Sequence, residues 1–187
     1  MARHLLWFDR ISTAIGKACA WLVVILVVTT FYDVVARYLF RSPTGWAYDV
    51  SYYLYAAIFM FGGAYALARN QHVRGDFFYR NWPVRTQAAI ELLLMVLFFF
   101  PGIIALVSSG YQFFELSFSQ GERTQTSLIQ LPLYPLKAVI PIAGLLMLFQ
   151  GVAETIRCVL ALRDGIWPQR LSDVEETETR LAREAQL

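Results

Sequence analysis

Four uncharged stretches organise the sequence: Ala18 to Tyr32, Val50 to Ala68, Leu92 to Phe114 and Ala138 to Ala153, of 15, 19, 23 and 16 residues. A helix rises 1.5 Å per residue, so 19 residues reach about 28 Å, close to the ~30 Å of bilayer hydrocarbon. The spacing therefore predicts four membrane-spanning helices. The two short runs need extending. The first continues through Val34, Val35 and Ala36 if Asp33 finds a partner; the fourth starts near Leu131 with Lys137 snorkelling, or runs past Glu154 to Leu162. The predicted spans are about 15–37, 49–69, 91–114 and 134–157, within a membrane domain 1–163 that is followed by a charged tail, 164–187. The first span is read as uncleaved, because its basic lead is long and Asp33 interrupts the approach to any signal-peptidase site.

The connecting segments set an orientation. Twelve Lys and Arg fall in the N-terminal segment, the second loop and the C-terminal part, against four in the first and third loops (Arg37, Arg41, Arg123 and Lys137). Basic residues accumulate on the cytoplasmic side, so both termini are expected there. Residues 72–85 alternate Arg with Phe77, Phe78, Tyr79 and Trp82, the pattern of a segment lying flat in the cytoplasmic headgroup layer. The third loop, 115–130, is polar, and Gln120, Gly121 and Glu122 predict its outward turn. Ser172 and Glu175 have capping-box spacing within the tail.

Composition agrees with the pattern. Hydrophobic residues make up 57% and charged residues 16%, whereas a soluble domain carries about a quarter charged. The expected fold class is an all-α integral membrane protein with four transmembrane helices and an interfacial cytoplasmic segment between helices 2 and 3. A net charge of +2 leaves no electrostatic footprint for nucleic acid. Cys19 and Cys158 share no metal-binding spacing with His4 and His72, which favours structural thiols and neither a metal site nor a cofactor.

Catalysis or ion coupling within a membrane calls for polar or charged groups clustered at a common depth. Asp33, Asp49, Glu91, Glu115 and Glu154 are all expected at or beyond span ends, and Thr29, Thr30, Ser108 and Ser109 are expected to bond to their own preceding helical turn. An enzyme is therefore not expected. A haem-binding electron carrier would have to use His4 and His72, both at the cytoplasmic edge. A self-sufficient small oligomeric transporter is the other rival.

Two surfaces stand out. Gly62, Gly63, Ala64, Ala66 and Ala68 give the second helix a small-residue face suited to close packing, first of all within the bundle. Around the first loop, Asp33 and Arg37 share a helix face, Tyr38, Phe40 and Trp46 sit at interface depth, Pro43 and Gly45 make a turn, and Asp49 opens the second helix. Arg37 is expected to pair with Asp33 one turn back or with Asp49 across the hairpin.

The run DVVARYLFRSPTGWAYDVSYYLYAAIFMFGGAYALARNQHVRGDF, residues 33–77, resembles the signature region of the small membrane subunit, DctQ-like, of tripartite ATP-independent periplasmic (TRAP) transporters. The resemblance is carried by Arg37 and Tyr38, Phe40, Pro43, Trp46, Asp49, the Gly62–Gly63 stretch, and His72 with Arg74 and Asp76; residues 131–150 add to it. Tyr48 before Asp49 replaces one of two adjacent acids common in that family, and Gly75 replaces a branched apolar residue. The resemblance implies a bacterial inner-membrane subunit of a secondary, sodium-driven transporter for organic acids. Its partners would be membrane lipid, a large multi-span subunit that it braces and an extracytoplasmic substrate-binding protein that it helps to dock. Together with the charge count, this makes Arg41, Glu122 and Arg123 the expected docking residues.

Overall fold

The computed structural model describes residues 2–68, 82–125, 127 and 129–168, with side chains from Arg10 onward except that of Ala68. Helix α1 runs over Ala2–Tyr38, α2 over Ala47–Ala68, α3 over Val84–Ser119 and α4 over Tyr134–Asp164. All four are long and apolar enough to cross a membrane. Among the described residues there is no strand, only an isolated bridge between Arg123 and Pro132. At 1.5 Å per residue the 37 residues of α1 extend about 55 Å, so the helix outreaches a ~30 Å hydrocarbon layer.

Local chemistry explains where the helices begin, end and bend. Asp49 lies in the first turn of α2, where unsatisfied backbone N–H groups favour an anion. Pro occupies the first turn of α4, where no helical N–H partner is lost. The third helix continues through Glu115–Ser119, which polarity had assigned to the loop, because nothing there breaks a helix before Gly121. Gly121 takes a left-handed φ of 59°, its N–H bonds to Phe118 O at 3.2 Å, and the Glu122 N–H bonds to Ser117 O at 3.0 Å, closing the last turn. Within α3, Met95–Phe99 widen into a π turn, in which the Phe100 N–H reaches back to Met95 O. Pro101 supplies the reason: it has no N–H to donate and its ring crowds the carbonyl four residues earlier, and a widened turn relieves both.

Helix α4 is the hub, packed against α1, α2 and α3, while α1 and α2 also pack on each other. Its inner face is flush: Ala143, Ala153, Cys158 and Ala161 have essentially no exposure. Missing side chains allow this closeness. A Cβ on Gly151 would stand 2.3 Å from the Phe99 ring, and one on Gly16 would stand 2.2 Å from Tyr65. The hydroxyls of Thr30 and Ser108 bond to Leu26 O at 2.8 Å and Ala105 O at 3.1 Å, satisfied within their own helices.

Candidate functional site

Two polar regions sit at opposite ends of the four helices. The first is a rim at the end that carries the 39–46 and 120–133 loops. Asp33 organises one side of it. Its carboxylate accepts from Arg37 Nη2 at 2.9 Å, from the Thr44 N–H at 3.2 Å and from the Thr44 hydroxyl, so it ties α1 to the turn that leads into α2. Tyr32 and Trp46 stack across the same hairpin with ring centroids 6.1 Å apart. Of the two partners open to Arg37 in the sequence, the structure selects Asp33. Beyond this tie, Tyr38, Phe40, Arg41 and Pro43 are exposed, and Arg41 takes a left-handed φ of 52°.

Asp49 organises the other side. It is 2% exposed and accepts from the Thr124 hydroxyl at 2.8 Å and from the Ser127 hydroxyl. The Tyr53 hydroxyl donates to Pro132 O, giving the same loop a second anchor on α2. The loop is further folded by Thr124 N–H to Leu131 O at 2.9 Å and Leu133 N–H to Glu122 O at 2.8 Å. Glu122 pairs with Lys137, whose ammonium lies 3.8 Å from the Phe113 ring centroid. The Lys137 hydrogen bond holds the Glu122 carboxyl below the ordinary glutamate range. Arg123 reaches Gln130 O at 3.4 Å. Between the loop and α2 lies an open cavity of about 540 Å³ lined by Tyr48, Asp49, Tyr52, Glu122 and Arg123.

The second region is a buried polar ladder toward the chain termini. Ser12 of α1 donates to Gln150 at 3.1 Å, Arg157 pairs with Glu154 at 3.1 Å, and Cys158 Sγ lies 3.9 Å from the Glu91 carboxylate of α3. Gln150, Glu154 and Arg157 are each 1% exposed. Their spacing of four and three residues puts them on the α4 face that meets the other helices. Sequence reasoning placed Arg157 at the end of the last span, among the cytoplasmic C-terminal charges, and Glu154 as a span-end acid, and it passed over Gln150. The available signal was that helical spacing, with Ala153, Cys158 and Ala161 as small neighbours. Counted from Tyr134, Arg157 lies about 35 Å along α4, near the far edge of a ~30 Å hydrocarbon layer.

The remaining sequence-derived residues divide into those placed and those not. Gly63 faces the Met147 sulfur of α4, where a Cβ would stand at 3.3 Å, whereas a Cβ on Gly62 would meet nothing within 4 Å. Ala64 is buried, so one side of the small-residue face packs inside the bundle and the other opens outward. His72, Arg74 and Asp76, most of the interfacial segment and the tail helix lie outside the described residues. Among the described residues no three His, Cys, Asp or Glu side chains are grouped to hold a metal.

Residues 26–161 match the family model for the DctQ component of tripartite ATP-independent periplasmic transporters. No curated protein matches the chain.

Proposed function

Because the chain belongs to the DctQ family, well over half of it lying within the family model, we propose that this TRAP small membrane subunit braces the large subunit and offers its rim to a soluble binding protein. DctQ proteins work with a large membrane subunit and a periplasmic binding protein. In the proposed arrangement both termini are cytoplasmic, and the rim faces the compartment from which a sodium-coupled organic acid enters.

The observation that supports docking is the double anchoring of the rim. Asp33 ties down the first loop through Thr44, and Asp49 ties down the second through Thr124. Pre-organised loops lose little entropy when a partner settles on them. Arg41, Glu122 and Arg123 border this surface, and rim charges act chiefly on association rate and salt dependence.

Uptake by the reconstituted three-component system tests the proposal. Changing Arg41 and Arg123 to Glu should slow uptake at limiting binding protein, with recovery at saturating binding protein and an unchanged yield of membrane complex. The defect should change with ionic strength as screening sets in over ~8–10 Å. Uptake identical to wild type at every concentration and salt level would assign docking to the large subunit. For orientation, an impermeant thiol reagent applied from outside should label a cysteine at position 122 and spare one at position 80; the reverse pattern would invert the chain.

A further inference from the structure

The four spans differ in a way that hydrocarbon alone does not explain. Helices α2 and α3 are the least covered by the rest of the chain. Helix α3 is also the most apolar of the four, which suits a surface facing lipid. Helix α2 is the least apolar, yet it is just as uncovered.

Its uncovered side is a single stripe. Tyr48, Tyr52, Tyr55 and Phe59 follow each other at spacings of four, three and four residues, so they share one helix face. They are 65%, 54%, 60% and 70% exposed. Tyr55 and Phe59 stack with centroids 6.4 Å apart, which fixes their rings as a ledge. One turn further along the same face lies the outward-opening Gly62, followed after another turn by the half-buried Ala66.

The chemistry of this stripe is that of a protein contact. Tyr55 lies eight residues beyond Ala47, about 12 Å along the helix and past headgroup depth, where a phenol O–H facing hydrocarbon has no acceptor. A gap at Gly62 beside projecting rings is a shape that another helix can enter closely, whereas lipid tails gain little from it. At roughly 150–250 Å² per aromatic side chain, four that are more than half exposed present about 500 Å², most of the ~800 Å² that each partner contributes to a standard interface.

We infer that the Tyr48–Tyr52–Tyr55–Phe59–Gly62 face of α2 is the seat of one transmembrane helix of the large transport subunit. That helix places a bulky side chain over Gly62 and a hydrogen-bond acceptor beside Tyr55. The inference rests on the bracing role proposed above and assigns it a face.

The test uses the complex co-expressed with its large subunit, with a photo-reactive phenylalanine analogue at single positions. Positions 55, 59 and 62 should cross-link to the large subunit, and positions 97 and 98 on the outward side of α3 should not. Cross-linking from α3 and not α2, cross-linking of α2 to a second copy of this chain, or no α2 cross-link in an intact complex would each overturn the assignment while leaving the bracing role standing. Failure of the large subunit to co-purify with the unmodified chain would instead overturn bracing itself. As an independent reading, Gly62→Leu should lower recovery of the large subunit at least tenfold with no change in the melting temperature of the isolated chain, since a Cβ at this position meets nothing within 4 Å. Undiminished recovery with this variant would also defeat the inference.

Discussion

Asp33–Arg37 and Glu154–Arg157 are the same kind of pair, a carboxylate and a guanidinium one helical turn apart, and the protein treats them differently. The first has side chains 18% and 52% exposed, and its carboxylate spends two further hydrogen bonds on Thr44. The second is enclosed, at 2% and 1%, on the α4 face that carries Ala153, Cys158 and Ala161. An exposed pair is worth roughly 0–1 kcal/mol, whereas an enclosed charge that loses its partner costs about 3–5 kcal/mol. Sequence spacing makes the two pairs look alike, and solvent access separates them.

The sharpest way to break the comparison is at the enclosed pair. Arg157→Leu should destabilise the chain by about 3 kcal/mol or more, seen as a large fall in melting temperature in detergent or loss of folded protein, because it takes a charged partner from an almost wholly enclosed carboxylate. Replacing Glu154 with Gln and Arg157 with Met together should recover much of the loss. A double variant no better than the single one would show that the pair contributes by packing and not by charge.

At the rim the expected order is smaller and inverted between partners. Asp33→Ala removes the acceptor for Thr44 as well as for Arg37 and should be the more damaging of the two rim changes. Faster proteolysis of the loop after Tyr38 would register it. Arg37→Ala should shift the melting temperature by the equivalent of ~1 kcal/mol or less, since its guanidinium is half exposed. If Arg37→Ala proved as damaging as Arg157→Leu, exposure would not be what separates the pairs.

The smallest effect concerns pH. Glu122 has its folded pKa depressed by Lys137, so its contribution is present above the ordinary glutamate value of about 4.3 and is lost as pH falls through the lower folded value. Thermal unfolding between pH 6 and pH 3 should therefore show a slightly steeper acid loss in the wild type than in Glu122→Gln, and added salt should narrow the gap. Identical slopes would mean that the Glu122–Lys137 contact does not survive in solution.

Several features of the fold follow from the chain read locally. A run such as Leu92 to Phe114 is long enough to span and contains no charge, and Gly121 is the residue that a left-handed helix end favours. Asp33 and Arg37 meet because helical residues four apart always do. The choice between Asp33 and Asp49 as the partner of Arg37 was not legible in this way. It depends on Thr124, 75 residues beyond Asp49, arriving to occupy that carboxylate.

By itself, then, the sequence determined the number of apolar spans, the local pairings within a helix and the family, because each depends on residues within a few turns or on a continuous motif. The tertiary structure alone decided which charged groups lose water. Glu154 and Arg157 read as charges at the end of a span until α1 and α3 close over α4, and Gly62 and Gly63 read as one small-residue face until α4 covers the second and leaves the first open. Burial is set by what packs from elsewhere in the chain, and the cost of a charge, the closeness of a helix and the surface left for a partner all follow from burial.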